Sequence, residues 1–359
     1  MNGEKKMINI DFLLSGCNTR CRHCYVAGGP GSLMATDTAL QCLEKLDALA
    51  GYLPGEVTFT LDHEPMNHPD VKRIIHAASG TKRIRYYHHG MTTGIGLMRR
   101  EDRDDVLRAY MDCGYRSFGI TIHGNAVHHD EIVRRGGAYE ATVSAAEFLR
   151  SRGAELEVSL MVNRFFPGDA EDITALISRL RPGYVGCVFP IYTPHANMAD
   201  FEPYRAALPE IELLREILPR WQQDTAELLE CARGLTVSAA VSRLRSGTRL
   251  RSLFEAPQDE LYLTLHQDGV LYVGNSGAET QRIGDLREMD PREMAGWIAQ
   301  LPGNRDYGAF YDVDALPETD QLIRALEGIP QNLVYGDFES AVYRGLSLLG
   351  VPARILRLP

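Results

Sequence analysis

The sequence predicts an α/β fold, with a partial (β/α)6 barrel of the TIM type over residues 1–200 and a smaller α+β extension over residues 201–359. Two observations lead to this prediction. Up to about residue 200, short apolar segments alternate six times with helical patterns, as in the βα units that build a parallel sheet. Beyond residue 200 the alternation stops, and a helical stretch and a hairpin pattern follow.

The elements are identified by apolar runs for the strands and by leucine spacing for the helices. The predicted strands are Ile8–Leu14, Val57–Leu61, Arg83–Tyr87, Ser117–Ile122, Leu156–Val162 and Tyr184–Ile191. The predicted helices are Asp37–Ala50, Arg103–Asp112 and Ala138–Arg152, and Pro209–Gly234 is mostly helical in pattern. Glu260–Leu265 and Val270–Val273 predict a hairpin around Asp268-Gly269. Because the strands of a parallel barrel open on one face at their carboxyl ends, we expect functional groups in the loops after the strands.

Composition and charge exclude several function classes. The chain has 38 basic and 48 acidic residues, for a formal net charge of −10, and no basic run long enough to follow a phosphate backbone, which argues against a nucleic-acid partner. No apolar stretch reaches the length of a membrane span, and the polar start lacks the core of a signal peptide. We therefore expect a cytoplasmic protein with no membrane partner, in which the seven cysteines are thiols or metal ligands.

Three cysteines, Cys17, Cys21 and Cys24, lie within eight residues directly after the first predicted strand. Three thiolates on one loop can bind one soft-metal centre, and they leave the fourth position of a [4Fe-4S] cluster open for a small ligand. The alternative is a zinc site completed by His23. The cluster is favoured because His23 and Cys24 are adjacent and no second ligand pair follows, whereas structural zinc ligands usually form two spaced pairs.

The C-x3-C-x2-C spacing with an aromatic residue after it resembles the radical S-adenosylmethionine (SAM) enzymes. After the second strand, Asp62-His63-Glu64-Pro65 resembles the Gly-Gly-Glu-Pro motif of that family. The resemblance implies that the cysteines hold a [4Fe-4S] cluster whose open iron binds SAM. It also implies that Glu64 accepts a hydrogen bond from the SAM amino group. Asp62 and His63 replace the two glycines, so Asp62 is a second candidate partner for that amino group, although both residues could be ordinary loop polars.

The remaining candidates lie in later loops, together with His23, which we add to the cofactor-binding candidates. After the third strand, His88 and His89 are candidates for substrate contact or proton transfer, unless one is simply buried and the other solvated. After the fourth strand, Thr121-Ile122-His123-Gly124 and Arg134-Arg135 resemble the Ser-Ile-Asp-Gly and Arg-Gly series of the subgroup with SPASM or twitch extensions. The resemblance implies that Thr121 and Arg134, or else Arg135, hold the SAM carboxylate, and that Asn163 contacts the ribose or adenine.

The extension lacks a cysteine that the resemblance leads one to expect. Asp268–Gly274 and Ile283–Leu286 keep the frame of a SPASM or twitch hairpin, but Gly274 stands where a cysteine would bind an auxiliary cluster, and no cysteine follows Cys231. We therefore expect one cluster only. This favours a redox-neutral reaction, because a second cluster is a convenient acceptor for the electron released in an oxidation.

An epimerisation would need a hydrogen donor, for which Cys187 is the first candidate and Cys113 the second. Core packing is the alternative role for both thiols. Tyr192 and His195, just past the sixth strand, are candidate substrate contacts because of their position.

Taken together, the resemblance implies an enzyme that reductively cleaves SAM at a single [4Fe-4S] cluster and uses the 5′-deoxyadenosyl radical to abstract hydrogen from a substrate. An external electron donor such as flavodoxin or ferredoxin is implied as a partner. We expect a small polar metabolite as substrate (a sugar, a nucleoside or an amino-acid-derived natural-product intermediate), because neither a leader-binding domain nor further clusters are found. The alternatives are a ribosomal peptide substrate and a non-enzymatic zinc- or cluster-binding protein.

Overall fold

The main sheet is built around β1 (Met7–Leu13), whose alternate side chains Ile8, Ile10 and Phe12 are buried. The computed structural model describes residues 7–26, 28–88, 90–194, 198–255, 260–304 and 311–356. The strand β1 pairs in parallel with β2 (Val57–Asp62) on one side and with β7 (Glu260–Leu265) on the other. The short β3 (Arg85–Tyr86) follows β2, while β8 (Val270–Val273) and β9 (Gln281–Asp285) continue antiparallel from β7. The predicted hairpin of β7 and β8 is therefore confirmed.

A second, parallel sheet of β4 (Ser117–Ile122), β5 (Glu155–Met161) and β6 (Tyr184–Val188) completes the barrel wall. Among the described residues, a parallel bridge between Met91, in the segment after β3, and Gly119 of β4 links the two sheets. Two hydrogen bonds flank that bridge, from Thr92 N–H to the Gly119 carbonyl at 2.9 Å and from Gly119 N–H to the Gly90 carbonyl at 3.0 Å. The six parallel strands β1 to β6 thus form the partial (β/α)6 barrel that the sequence predicts, and their carboxyl ends share one edge.

Helices cover the outer faces of both sheets and form a further apolar cluster in the extension. They are α1 (Thr36–Ala50), α2 (Val71–Ser79), α3 (Ile95–Met98), α4 (Arg103–Asp112), α5 (Ala126–Val133), α6 (Ala138–Ser151), α7 (Phe166–Leu180), α8 (Leu208–Glu212), α9 (Thr225–Gly234), α10 (Val237–Arg245), α11 (Leu250–Glu255), α12 (Pro291–Ile298), α13 (Thr319–Glu327) and α14 (Phe338–Leu348). The core of the first sheet lies against α1 and α12, and α10, α13 and α14 pack on one another. Within the described ranges, no helix combines the length and the apolar character that crossing a membrane requires.

Besides the third strand, which is reduced to Arg85–Tyr86, two predicted elements differ in the structure for reasons that lie in individual residues. The sixth strand ends at Val188 instead of Ile191, because Pro190 has no N–H group for a sheet ladder. The helical pattern over 209–234 is divided into α8, a 3₁₀ turn (Leu218–Trp221) and α9. The division follows from Pro219 at the start of the turn and from the left-handed backbone of Gln222, with φ +61°. The domain boundary at residue 200 stays a prediction, since β7 to β9 extend the same sheet as β1.

Asp47 of α1 accepts hydrogen bonds from the loop before β3. Losing these bonds should lower the stability of the protein. One of its carboxylate oxygens accepts hydrogen bonds from the backbone N–H groups of Lys82, Arg83 and Ile84 at 2.7, 2.6 and 3.2 Å. Burial raises the pKa of this carboxyl, but the three donors outweigh it, so the net shift is downward. We expect Asp47→Asn to lower the free energy of unfolding by about 1–2 kcal/mol at neutral pH.

The pH dependence distinguishes this contact from general packing. A lowered folded-state pKa means that the stabilisation is present above the unfolded pKa of about 4 and is lost as the pH falls through the folded value. Urea unfolding at a series of pH values should therefore show the difference between wild type and Asp47→Asn shrinking below pH ~4. Asp37→Asn, at a highly exposed aspartate of the same helix, is the matched control. A constant difference down to acid pH would contradict the assignment.

Candidate active site

The cysteine loop that follows β1 carries all three thiols at the carboxyl end of that strand. The Cys24 N–H donates to the carbonyl of Cys21 at 3.2 Å, and the Thr19 hydroxyl lies 3.3 Å from the sulfurs of both Cys17 and Cys21. Burial raises the pKa of all three thiols, to about 11 for Cys24, and nearby negative charges, those of the other thiolates included, add to this effect. The loop by itself therefore disfavours thiolates, whereas the positive charge of a metal centre would stabilise them.

The surroundings of the sulfurs fit a three-thiolate cluster better than zinc. The Gly28 N–H donates to the Cys24 sulfur at 3.1 Å, and hydrogen bonds to ligand sulfurs are one of the features that tune iron–sulfur clusters. A Cβ atom on Gly28 would lie 3.2 Å from that sulfur. The imidazole of His23, which zinc would require, instead places its Nε2 2.6 Å from Nε2 of His123. In the part of the chain that the structure describes, no three His, Cys, Asp or Glu side chains, the three loop cysteines included, form a group that could hold a single metal ion, whereas a [4Fe-4S] cluster distributes its cysteine ligands over separate irons.

A cavity adjoins the cysteine loop at the carboxyl edge of the barrel strands. Its described lining comes from the loop and from the segments that follow β2, β3 and β4, and it includes Cys17, Cys21, His63, Thr92, Thr93, Thr121 and His123. The lining is completed by Thr19, His23, Met91, His129, Val133, Ala138 and Thr142. None of these described lining residues is an Asp, Glu, Lys or Arg. The polar groups of the described lining are therefore hydroxyl, thiol and imidazole groups, and no acidic or basic side chain of Asp, Glu, Lys or Arg is among them.

Glu64 lies fully buried directly behind this cavity. Its carboxylate accepts hydrogen bonds from the Thr92 hydroxyl at 2.6 Å, the Thr93 N–H at 2.7 Å and the Thr93 hydroxyl at 2.6 Å. Burial raises the pKa of Glu64, and the bonds from Thr92 and Thr93 lower it in part. We did not predict Thr92 and Thr93 from the sequence, although they are a polar pair close behind the His88-His89-Gly90 motif.

Asp62 and His63 occupy the two positions where the resemblance leads one to expect glycines. Asp62 is the last residue of β2. His63 has a left-handed backbone with φ +62°, which costs a residue with a side chain on the order of 1 kcal/mol and suits glycine. Its Nε2 lies 3.0 Å from the hydroxyl of Ser276, in the loop after β8. The departure from the glycine pattern is thus accommodated by a contact from the C-terminal extension.

Three imidazoles, those of His23, His123 and His129, pack together in the cavity wall. The rings of His23 and His123 stack with centroids 4.7 Å apart, and Nδ1 of His129 accepts from the backbone N–H of His123 at 3.4 Å. Burial lowers the pKa of His23 and of His129 to about 4 each, and that of His123 lies well below its usual value. These rings are therefore neutral at physiological pH.

The four other residues proposed as SAM contacts are Asn163, Thr121, Arg134 and Arg135, and each has different partners in the structure. The Asn163 amide donates to the carbonyls of His123 at 2.7 Å and Met161 at 3.0 Å, so it fixes the end of β4. The side chain of Thr121 reaches the cavity. The Arg134 guanidinium pairs with Asp200, whereas Arg135 donates to the carbonyl of Asn18 in the cysteine loop at 2.6 Å.

Comparison with known proteins shows the family to which these motifs belong. The sequence matches the radical SAM superfamily over residues 13–180, which span the cysteine loop, Glu64 and the His123 loop. Residues 13–180 are therefore a radical SAM domain. The protein is accordingly an enzyme, and its cofactors are a [4Fe-4S] cluster and SAM.

Several solved structures of radical SAM enzymes are similar to this chain. Native anSMEcpe with bound AdoMet and a Cp18Cys peptide is 10% identical, with 96% of this chain and 97% of that chain covered, at a TM-score of 0.50. A histidine-tagged form of anSMEcpe with bound AdoMet is 11% identical over 96% and 93% of the two chains, at a TM-score of 0.51. SuiB from Streptococcus suis bound to S-adenosylmethionine is 8% identical over 93% and 77%, at a TM-score of 0.49. No curated protein matches the sequence.

Several residues chosen from the sequence do not line the cavity of the radical SAM domain. Cys187 packs among apolar side chains of the second sheet, where burial raises its pKa to about 12. Tyr192 lies in the cluster of α10, α13 and α14, and its hydroxyl donates to Ser347 at 3.0 Å. The imidazole of His88 packs against the rings of Tyr86 and Tyr115. His89 and His195 lie outside the described residues.

Cys113, the second candidate hydrogen donor, is also placed away from the cavity lining. Its sulfur lies 3.2 Å from Nδ1 of His76, on α2. The radical SAM domain thus has no free thiol in the described cavity lining besides those of the cysteine loop.

Proposed function

We propose that this radical SAM enzyme abstracts a hydrogen atom from a small polar metabolite, such as a sugar, a nucleoside or an amino-acid-derived natural-product intermediate. The observation that carries the proposal is the cavity beside the cysteine loop, whose described lining exposes mostly carbon, offers a few hydroxyl, thiol and imidazole groups, and bears no Asp, Glu, Lys or Arg side chain. When bound, the cluster and SAM supply a 5′-deoxyadenosyl radical, formed with one electron from an external donor as methionine leaves. The protein positions the reactants and excludes water.

Individual residues receive roles that their placement supports. Cys17, Cys21 and Cys24 hold the cluster, and Glu64 accepts a hydrogen bond from the SAM amino group. Thr121, whose side chain reaches the cavity, contacts the SAM carboxylate.

An arginine near the cysteine loop completes the SAM carboxylate site in this proposal. We favour Arg135 over Arg134 for this role, because its guanidinium reaches the cysteine loop at Asn18. Asn163 acts indirectly, through the backbone of His123. His23 and Asp62 remain cofactor-binding candidates beside these residues.

A redox-neutral outcome with a single cluster is part of the proposal, and the backbone at Gly274 supports it. Gly274 has φ +111°, and a Cβ atom there would lie 2.4 Å from the carbonyl oxygen of Ala278. This position, where related proteins carry a cluster cysteine, therefore rejects any side chain.

Reintroducing that cysteine is expected to damage the fold without adding a cluster. Gly274→Cys should lower the free energy of unfolding by about 3 kcal/mol, because it combines a left-handed backbone with a steric overlap. Iron and sulfide content should remain at about four atoms of each per folded chain. Gly296→Cys adds a thiol where a Cβ meets nothing within 4 Å and is the matched control. A stable Gly274→Cys protein that binds extra iron would contradict the single-cluster proposal.

A peptide substrate is the second candidate. The observation that favours it is the similarity in fold to native anSMEcpe, which covers 96% of this chain and whose structure holds a Cp18Cys peptide. We place it second because the described cavity lining carries no charged side chain with which to anchor peptide termini or charged flanks.

Label transfer separates the two candidates. The anaerobically reconstituted enzyme is incubated with SAM, a reductant and deuterated pools of small metabolites or peptides, and deuterium in 5′-deoxyadenosine is measured by mass spectrometry. We expect label from the small-molecule pools, and label from peptides alone would overturn the preference. Flavodoxin or ferredoxin is the proposed electron donor and the cytoplasm the proposed location, consistent with an oxygen-sensitive cluster.

A further inference from the structure

A groove lies at the seam between the barrel and the C-terminal extension. On the barrel side its lining includes Arg164, in the segment after β5, and Glu202 and Arg205, in the segment after β6. On the extension side it includes residues of the loop 329–333 and Arg344 of α14. Its volume of about 410 Å³ is within the range of small-molecule sites.

This groove is separate from the cavity that takes the cluster and SAM. The described linings of the two have no residue in common. The fully buried ring of Phe201 packs against both, with its centroid 5.7 Å from that of His23 in the cavity lining and 5.4 Å from the guanidinium carbon of Arg205 in the groove. The groove is therefore a neighbour of the SAM cavity and not a part of it.

Arg205 is a fully buried cation in the wall of the groove. Its Nε donates to Glu202 at 2.9 Å, and its Nη1 donates to the carbonyls of Pro190 and Val334 at 2.6 and 3.3 Å. Its Nη2 is buried and makes no hydrogen bond to any of the described residues. Because an unpaired donor on a buried cation is costly, this wall of the groove lacks an acceptor.

The two other arginines of the groove are also incompletely paired. The Nε of Arg344 lies 3.5 Å from the Glu202 carboxylate and makes no hydrogen bond to the described residues. Glu202 already accepts from Arg205 and from the hydroxyl of Tyr335. Arg164 is exposed, donates to a backbone carbonyl, and forms no ion pair with any described acidic side chain. One carboxylate thus serves two arginines, and the third arginine has none.

The groove therefore has a surplus of positive charge, in a chain whose formal net charge is −10. Its described lining holds three arginines against the carboxylates of Glu202 and Glu210. The Glu210 carboxylate accepts from the backbone N–H of Ala207 at 2.7 Å. A guanidinium presents a planar fork of donors that matches the oxygens of a carboxylate or a phosphate. Such an anion would supply both the missing negative charge and the missing acceptors.

We infer that this arginine groove, defined by Arg164, Arg205 and Arg344, is a binding site for a small molecule that bears a carboxylate or a phosphate group. Arg164 and Arg344 donate to the anion, while Arg205, which Glu202 holds in place, contributes its buried charge. The site goes beyond the proposed function, because it lies outside the cavity of the cluster and SAM and does not depend on which molecule loses a hydrogen atom.

The test measures binding to the reconstituted holoenzyme, unreduced and saturated with SAM, so that the SAM cavity is already filled. The probes are radiolabelled inorganic phosphate, glucose phosphate, glucuronate and glucose, followed by equilibrium dialysis at one fixed ionic strength. The three sugars share a frame and differ in the charged group, and glucose is the neutral member.

Three variants accompany wild type. Arg164→Gln and Arg344→Gln each remove one cation of the groove and keep a polar side chain. Arg99→Gln, at an exposed arginine outside the groove, is the matched control. Because Arg344 packs on the ring of Tyr192 whereas Arg164 is exposed, Arg164→Gln decides the test if Arg344→Gln fails to fold.

We expect saturable binding of at least one anion, with a dissociation constant of about 1 mM or below, and weaker binding of glucose. Arg164→Gln and Arg344→Gln should each weaken anion binding about 10-fold, and Arg99→Gln should leave it unchanged. SAM affinity should stay within about 2-fold of wild type in all three variants. Equal binding of inorganic phosphate and glucose phosphate would assign the site to a free anion, and tighter binding of a charged sugar would assign it to the acidic group of a metabolite.

Three results would overturn the inference: no saturable binding of any anion, binding of glucose as tight as that of the charged sugars, or anion binding that is unchanged in the folded groove variants. Failure of the reduced wild type to cleave SAM would instead remove the proposed function and leave the anion-binding result intact.

Discussion

Cys24→Ala is expected to lose the cluster and, with it, SAM cleavage. The three cysteines of the loop are half-buried, and burial raises the pKa of the Cys24 thiol to about 11, so the thiolate form is disfavoured without the positive charge of a metal centre. Removing one of the three cysteine ligands would leave a second iron of the cluster without a protein ligand. It would also remove the sulfur to which the Gly28 N–H donates. We expect iron and sulfide to fall to near zero and 5′-deoxyadenosine formation to fall at least about 1000-fold.

The measurement is iron and acid-labile sulfide per chain after anaerobic reconstitution, with the ultraviolet–visible spectrum as a second readout. Cys231→Ala, an exposed cysteine on α9, is the control and should retain the cluster. The apoprotein fold should persist in Cys24→Ala, because the cores of both sheets are formed by residues outside the loop. A Cys24→Ala enzyme that keeps both iron and SAM cleavage would show that the ligand set is wrong.

The barrel strands could be predicted because each one is a short apolar run buried by its neighbours. The fourth strand matches its prediction residue for residue, and the first and fifth are shifted by one. The third strand was predicted over Arg83–Tyr87 but pairs only at Arg85 and Tyr86. The Tyr87 N–H still donates to the Phe59 carbonyl of β2, and the link to the next sheet is made at Met91. Where strand pairing stops depends on tertiary contacts, which local patterns do not report.

The pairing of β7 with β1 could not be predicted for the same reason. The strand β7 begins at Glu260, some 250 residues from β1, and joins it in parallel. Apolar runs indicate that both are strands but say nothing about which strands are neighbours. The consequence for the site is direct, since β8 follows β7 and leads to the loop in which Ser276 contacts His63.

In the site, residues within recognisable motifs were predictable and their partners were not. Motifs identified Cys17, Cys21, Cys24 and Glu64. Thr93 lies in an irregular segment, and its contact with the site depends on how that segment folds. Cys187 was chosen for its position in the sixth strand, where Val185 and Cys187 both face the apolar cluster. The alternation of a strand decides which residues share a face, but the face that meets the cavity emerges only from the complete barrel.

Glu64→Gln is expected to weaken SAM binding and, to a smaller extent, to destabilise the protein. The carboxylate accepts three hydrogen bonds from Thr92 and Thr93. An amide has one oxygen and one donor group, so a glutamine would turn N–H hydrogens toward at least one of these donors. A buried donor left without an acceptor costs about 1–3 kcal/mol, and we expect a loss of that size in the free energy of unfolding.

The effect on SAM follows from the charge of the buried carboxylate. Burial raises the pKa of Glu64. Ionising this buried carboxyl therefore lowers the stability of the protein as the pH rises through the folded-state pKa. A nearby cation would favour the ionised form. The SAM ammonium would supply that cation. SAM should therefore stabilise wild type against heat at neutral pH more than it stabilises Glu64→Gln, and SAM affinity should fall at least about 10-fold in the variant.

Asp62→Asn, at the adjacent end of β2, separates the two candidate carboxylates. If Glu64 is the partner of the amino group, Asp62→Asn should change SAM affinity by less than about 3-fold, while Glu64→Gln shows the full loss of affinity and a smaller SAM-dependent rise in melting temperature than wild type. The reverse order would assign the amino group to Asp62. Equal losses would mean that the two carboxylates share it. Since Thr92 and Thr93 hold Glu64 in either case, the loss of unfolding free energy in Glu64→Gln should appear without SAM, which separates the structural part of its effect from the binding part.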